Sequence, residues 1–414
     1  MAAPQIDLSH RGGPAGGSPS GCTVCDGHEL WTALDFGPQP PSNRFVRADV
    51  LDEERHKLSV GACEMCGTVQ LVDRMPIEAI RPRYQWLANS EPEGHLDRVV
   101  DNLLTLPGIN ADSHFLGLSY KDRSTLARLT ERGFANAGEL DYRKLLNLIE
   151  PFGLETIQRT LADPQSMSGL LGAGRRADVV VARHIVEHAE SASRFLSGVR
   201  GLLRSDGYLV VELPDSARLL RSDCHAFVWE EHFTYFTEAS FRGLAARMGA
   251  DVVRLDRYRY RYEDALVGIL RFAASRDKRP ASGEVKHDVL DFAARFEPSR
   301  AGWHGILSAY LDAGHKLAVF GAGHLAVKLI NFMALAPWIE CVIDDHPQKV
   351  GLHMPGSMLP IVPSTAIAAR GIDVCISTLS PESEARVCHR LHDFFRRGGR
   401  FVPAFDMQED QWRD

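Results

Sequence analysis

Apolar residues fall into short runs separated by amphipathic stretches along most of the chain. His114–Ser119 reads as a buried strand, and Thr125–Gly133 after it carries apolar residues at helical spacing. The alternation continues with a strand at Ala177–Ala182, a helix through Phe195–Leu203 and a strand at Gly207–Pro214. That order predicts a parallel sheet covered by helices, with Asp251–Tyr258 and Ala265–Ala274 as its closing strands. A second unit of the same kind starts at Lys316–Met333, continues through Ile339–Asp345 and Asp373–Leu379, and ends at Arg400–Phe405. A polar, helical connector over about 275–314 joins the two units, so the chain reads as α/β with two doubly wound sheets.

The N-terminal fifth breaks the pattern. His10–Gly21 is a Gly/Pro/Ser tract too poor in apolar side chains to pack, which makes 1–21 a flexible tail. From Cys22 to about Arg81 the chain is polar and holds two close cysteine pairs, Cys22/Cys25 and Cys63/Cys66. Each pair can aim two thiolates at one ion, and four thiolates close a tetrahedral structural zinc site with no open position for catalysis. Gly67, directly after the last of them, suits a tight knuckle turn. The remaining cysteines, Cys224, Cys341, Cys375 and Cys388, are isolated and read as buried or incidental thiols.

Composition sharpens this only slightly. At roughly 150 residues per domain, 414 residues suggest three domains, and 44% hydrophobic with 24% charged residues is ordinary for folded protein. The net charge of −7 and the lack of a lysine-rich block exclude an electrostatic nucleic-acid binder. No apolar run is long enough to cross a bilayer and Met1–Ser20 has no apolar core, so the expectation is a cytoplasmic protein without a membrane partner.

Polar residues gather at the predicted carboxyl ends of strands, where parallel sheets bind ligands. In the middle unit these are Arg183, His184, Glu187 and His188, and then Trp229, Glu230, Glu231, His232, Tyr235 and Phe236. A carboxylate beside an imidazole can orient it as a proton-abstracting base, although two histidines at one helix start can equally be a shared face. In the last unit Gly321-Ala322-Gly323-His324-Leu325-Ala326 follows a strand and opens a helix, with Asp344 ending the next strand. That fits a dinucleotide fingerprint, a phosphate turn, or a plain strand-to-helix turn.

Taken together, the zinc doublets, Ala182–Ser191, Leu202–Pro214, Trp229–Phe236, the Val319–Gly323 turn and Ile343–Ile361 resemble the sugar C-methyltransferases of deoxysugar pathways. The resemblance spans nearly all of the chain after Gly21. It implies an N-terminal zinc-binding domain (22–81), a class I methyltransferase-like Rossmann domain (82–274) and a second Rossmann-like domain (315–414). The implied reaction is methyl transfer from S-adenosylmethionine to carbon of a nucleotide-linked keto-deoxysugar.

Residue by residue, His232 and Glu231 match the last two positions of the family's Tyr-His-Glu-His segment, while Trp229 and Glu230 replace the first two. His188 matches a further active-site histidine, and Tyr84 and Trp86 fall in an aromatic stretch that contacts substrate. The cofactor loop departs from the family's Gly-Ser-Asn-Asp-Gly: Ser119 and Arg123 stand at its two glycines, Asp122 is retained, and Gly117 replaces the strand acid. The implied cofactor contacts are Ser119, Asp122, Asp141 for the ribose (Glu139 being the other acid there) and Ala182. The implied substrate contacts also include Gly321, Gly323, Lys328 (a turn beyond Leu325, where the family has lysine) and Lys349.

Carbon becomes nucleophilic when a neighbouring ketone enolises. His232 oriented by Glu231 is the expected base, with His188 or Tyr235 stabilising the enolate oxygen. The alternatives are a keto-sugar epimerase or eliminase on the same groups, and a catalytically silent homologue with a binding role.

Overall fold

The computed structural model describes residues 21–49, 52–82, 91–143, 152–167, 176–272 and 285–405. Tyr84 and Trp86 lie outside them.

Fifteen strands form three sheets among these residues. Strands β1 (Leu30–Gln39), β2 (His56–Cys63) and β3 (Val69–Asp73) make an antiparallel meander in the N-terminal region. In the middle region β4 (Phe115–Gly117), β5 (Ala137–Glu139), β6 (Ala177–Arg183) and β7 (Leu203–Asp215) are parallel. A two-residue strand, β8 (Thr234–Tyr235), follows. Then β9 (Ala250–Tyr258) and β10 (Asp264–Phe272) close the middle sheet antiparallel, in the order β5-β4-β6-β7-β10-β9. Every residue of β6 is buried, which is why Val179–Ala182 within it is an unbroken apolar run rather than an alternating one.

The C-terminal sheet is wholly parallel. It contains β11 (Leu317–Phe320), β12 (Cys341–Ile343), β13 (Ile361–Val362), β14 (Val374–Ser377) and β15 (Arg400–Pro403), in the order β13-β12-β11-β14-β15. In the connector, helices Val285–Ala294 and Phe296–Asp312 precede it. No helix among the described residues is long and apolar enough to cross a membrane.

The domains are stitched together more tightly than the sequence suggests. Strand β8 belongs by sequence to the middle region yet pairs with β3, so the N-terminal sheet is completed by Thr234 and Tyr235. One buried cluster runs from Leu58 and Leu71 through Val289 and Phe292 to Val327 and Ile330, and Phe36 stacks on Phe332 with ring centroids 4.0 Å apart. The N-terminal and C-terminal regions therefore share a core, and a three-part sequence becomes one body.

Candidate active site

The four cysteines expected to hold zinc do converge. Their sulfurs all lie within 4.8 Å of one another, with Cys22–Cys66 and Cys25–Cys63 each 3.5 Å apart, close to the edge of a tetrahedron of zinc thiolates. The two knuckles repeat one geometry: the Asp26 amide donates to the Cys22 carbonyl (3.0 Å) and the Gly67 amide to the Cys63 carbonyl (2.9 Å). Both turn residues take the left-handed backbone, Gly67 at φ 71° and Asp26 at φ 59°. The Asp26 carboxylate accepts from Ser193 (3.1 Å) and pairs with Arg247 (3.1 Å), which ties the knuckle to the middle domain.

A cleft of about 1250 Å³ runs along the carboxyl ends of the middle sheet and reaches the first turn of the C-terminal sheet. Its walls include Asp141 and Tyr142 at one end, Gly321 and Gly323 at the other, and between them His188, Trp229, His232 and His324. The His188 and His232 rings meet edge to face at 4.7 Å, and Trp229 stacks on His324 at 4.2 Å. Burial keeps these imidazoles neutral. It drives His188 well below its ordinary range, His232 (with the neighbouring His324) down to about 3, and His324 to about 4.

Glu231 has a different role from the expected one. Burial, with Glu230 and Glu155 nearby, raises its carboxyl well above the usual range, which favours the neutral acid over a charged orienter of His232. Its amide neighbour is Asn43, whose Nδ2 lies 3.5 Å from Oε1. Tyr235 does not face the cleft: its hydroxyl is buried and accepts from the Trp229 amide at 2.9 Å, which corrects its assignment as an enolate donor.

His184 is the charged member of the group. Burial pulls against its proton, but the carboxylates of Glu91, Glu187 and Glu212 outweigh it and raise the pKa to about 10. Its backbone is left-handed at φ 47°, a conformation that costs a branched or bulky residue about 1–3 kcal/mol. Two bonds to Glu212 hold it there, from the backbone amide (2.8 Å) and from Nε2 (3.0 Å).

The loop after β4 is rebuilt around Asp122. One carboxylate oxygen accepts the Leu118 and Ser119 amides at 2.8 Å each, and the other accepts the Arg183 amide at 2.8 Å. A methyl group on Gly117 would sit 2.9 Å from the Asp122 Cβ, so the glycine that replaced the strand acid makes room for the acid arriving from the loop. Ser119, Asp122 and Ala182 are consequently buried beneath the cleft and do not line it, a correction to their expected contact with cofactor. Arg123 forms an ion pair with Glu139 (2.6 Å), and Glu139 and Asp141 both stand on the cleft wall at the carboxyl end of β5.

S-adenosylmethionine can still be accommodated. The cleft is open along β4, β5 and β6, with Tyr120, Lys121, Asp141, Tyr142, Phe152 and Leu154 on its wall. These offer an acid for ribose hydroxyls and aromatic surface for a purine. Glu187, His188 and His232 also bring ligand atoms within 4.8 Å of one another, a set that could hold a cation.

In the C-terminal domain Gly321 takes φ 103°, and a side chain there would press on Leu379 and Thr378 at 2.9 and 3.0 Å. Asp344 accepts the Ala322 amide (2.9 Å) and pairs with Lys349 (3.4 Å), whose ammonium donates to the Ala322 carbonyl (2.8 Å). Asp344 thus braces the glycine turn instead of waiting for a ribose. Lys328 is corrected outright: fully buried, it pairs with Glu230 at 2.7 Å and faces no substrate. Glu230 also accepts from the Ser42 hydroxyl at 3.2 Å, so all three domains meet on this carboxylate.

His324 was missed by the sequence reading. Its signal was its place at the start of the helix after Gly323, where any side chain faces the crevice beyond the strand end.

Comparison with known proteins finds three matching segments. Residues 22–80 match a family model described as a zinc binding domain, 98–255 a methyltransferase domain, and 280–405 a C-methyltransferase C-terminal domain. The C-methyltransferase NovU of Streptomyces niveus is 24% identical over 400 residues, covering 92% of this chain and 94% of its own length. Among solved structures, the 1,6-didemethyltoxoflavin N1-methyltransferase of Burkholderia thailandensis is 14% identical, covering 43% of this chain and 77% of its own, with a TM-score of 0.30. Magnesium protoporphyrin IX methyltransferase of Synechocystis PCC 6803 is likewise 14% identical, covering 44% and 83%, with a TM-score of 0.29. The zinc-binding, methyltransferase and C-methyltransferase C-terminal domains, following one another in a single chain, mark this protein as an S-adenosylmethionine-dependent C-methyltransferase.

Proposed function

We propose that the acceptor is a nucleotide-linked keto-deoxysugar, methylated on the carbon beside its carbonyl through an enolate. The observation that carries this reading is the meeting of His188, Trp229, His232 and His324 in one cleft shared by both α/β units. The donor supplies an electrophilic methyl on a sulfonium sulfur, and Asp141, Tyr142 and Tyr120 are the residues that would hold it.

His232 is the base. Burial leaves its imidazole neutral with a lone pair available, and an enolate forming beside it raises its proton affinity by direct charge attraction. Burial keeps His188 neutral, with a single ring N–H. The protonated Glu231 carboxyl on the cleft wall is the better donor, a neutral acid kept so by burial. The glycine turn of Gly321 and Gly323, braced by Lys349, suits the diphosphate of the nucleotide at the far end of the same cleft.

The test is solvent deuterium exchange into a thymidine-diphosphate-linked keto-deoxyhexose. His232→Asn should lower exchange and methyl transfer together by about 10²- to 10⁴-fold. Glu231→Gln, which keeps a neutral donor, should retain far more activity than Glu231→Ala. Near-normal exchange in His232→Asn would remove the base assignment.

A further inference from the structure

The zinc centre and the proposed base lie at two ends of one short hydrogen-bonded path. Thr23 sits inside the first knuckle, directly after Cys22. Its amide and hydroxyl both donate to Gln70 Oε1, at 3.0 and 3.3 Å, and its hydroxyl accepts from Thr234 at 2.8 Å. Gln70 on β3 is also the register partner of Thr234 on β8. Thr23, Gln70 and Thr234 are all buried, so water offers these groups no substitute partner.

From Thr234 the path reaches the histidines in two steps. Phe233 donates its amide to the Glu187 carbonyl at 2.8 Å, and its own carbonyl accepts the Leu71 amide of β3 at 3.0 Å. The residues on either side of that crossing are His188 and His232, whose rings stand 4.7 Å apart. The first knuckle is fixed to the middle domain as well: the Ser193 amide donates to the Thr23 carbonyl at 3.3 Å. The segment carrying His232 is therefore suspended between the zinc module and the turn after β6.

We infer that Thr23 and Thr234 are positioning residues, which use the zinc-locked knuckle to set the His232 imidazole against His188. This rests on His232 being the base. It gives the N-terminal module a part in the reaction beyond its own stability: closing the Cys₄ site fixes Thr23, Thr23 fixes Thr234, and Thr234 fixes the approach of the histidine two residues before it. Small displacements at a reacting centre are costly, about 10²-fold in rate for about 1 Å.

The experiment compares Thr23→Val, Thr234→Val and the double variant, which keep side-chain shape and lose the hydroxyl pair, with Thr23→Ser and Thr234→Ser, which keep it. Two readouts are taken on the full-length protein. The first is kcat and KM with the thymidine-diphosphate keto-deoxyhexose. Each valine variant should lose about 10-fold or more in kcat with little change in KM, the double variant should lose no more than the worse single one, and the serines should be near normal.

The second readout needs no substrate. In protein labelled with ¹⁵N-histidine, the ring resonances of His188 and His232 should shift in the valine variants, while those of His225 and His304, held by the Phe292 and Met333 carbonyls, should not. Stripping the metal with a chelator, followed by zinc return, should reproduce the shift and reverse it. Unshifted His188 and His232 resonances with normal kcat in both valine variants would overturn the inference even if His232→Asn is inactive. Shifted resonances with full activity in His232→Asn would instead sink the base assignment and leave the path without a catalytic purpose.

Discussion

Two strand-to-helix turns occupy equivalent places in the two Rossmann-like units, one after β4 and one after β11, and they have been treated in opposite ways. After β11 the backbone stays bare: Gly321 keeps its left-handed conformation and Gly323 caps the helix with open space around it. Asp344 and Lys349 support that turn from behind. After β4 a carboxylate has folded into the turn itself, and the Leu118, Ser119 and Arg183 amides close on Asp122. The same architecture thus serves as an open cradle in one unit and as a sealed strut in the other. A ligand can rest on the second turn's backbone, whereas at the first it must be held by side chains such as Asp141 and Tyr120.

The largest effect should come from breaking the strut. Asp122→Ala takes the carboxylate acceptor from the Ser119 and Arg183 amides and leaves Leu118 with the Val181 carbonyl alone (3.2 Å), and at about 1–3 kcal/mol for each unsatisfied group the loss should reach roughly 2–5 kcal/mol. Denaturant unfolding of the variant measures it. Gly117→Ala alone should cost about 1–3 kcal/mol, because its new methyl meets Asp122 and Leu126 at 2.9 and 2.8 Å. Measured against Asp122→Gly, which removes the Cβ itself, the Asp122 part of that second cost should disappear in the double variant Gly117→Ala/Asp122→Gly, while the Leu126 contact remains. Strict additivity would mean that glycine and acid did not change places as a pair.

A smaller effect separates the histidines beside the two turns. His324, next to the open turn, is held near 4, below the value of about 6.5 for an unfolded chain. Between those values the unfolded state takes a proton that the folded state refuses, so stability falls as pH drops from about 6.5 to 4. His184, beside the sealed turn, is raised to about 10, so its contribution is complete below about 6.5 and is lost as pH climbs through 10. Relative to wild type, His324→Asn should therefore gain up to about 1.4 kcal/mol per pH unit on the acid side, and His184→Asn on the alkaline side. Unfolding free energies of both variants across the two ranges decide this, and equal slopes with wild type would remove the contrast.

The same contrast explains what could be read from sequence. Periodicity found β4, β6, β7 and all the main strands of the last unit, because buried parallel strands announce themselves as apolar runs. The spacing of Cys22, Cys25, Cys63 and Cys66 fixed the metal cluster, since ligand pairs are local. His188 and His232 were legible as residues at strand ends. What stayed hidden depended on partners far away in the chain. Gly117 read as a lost acid because only the fold brings the Asp122 carboxylate to the vacated space. Lys328 read as a ligand because nothing local reveals Glu230 beneath it. Thr234 carried no signal because its partner is the second residue of a zinc knuckle, 211 positions away.

The smallest expected effect tests whether the sealed turn can be reopened. Ser119→Gly restores a loop glycine of the kind the β11 turn retains. Ser119 is buried, and its hydroxyl accepts from the Lys121 amide at 3.2 Å, a local cap whose loss to glycine costs only a few tenths of a kcal/mol. If backbone access limited donor binding, removing this side chain would tighten S-adenosylmethionine. It should not, because the Ser119 and Leu118 amides remain committed to Asp122 whatever the side chain at 119. Calorimetric titration should give a dissociation constant within about twofold of wild type, well under the 1.4 kcal/mol that marks a tenfold change. A tenfold gain would show that the strut is displaced when donor binds, and the two turns would then differ in resting state rather than in design.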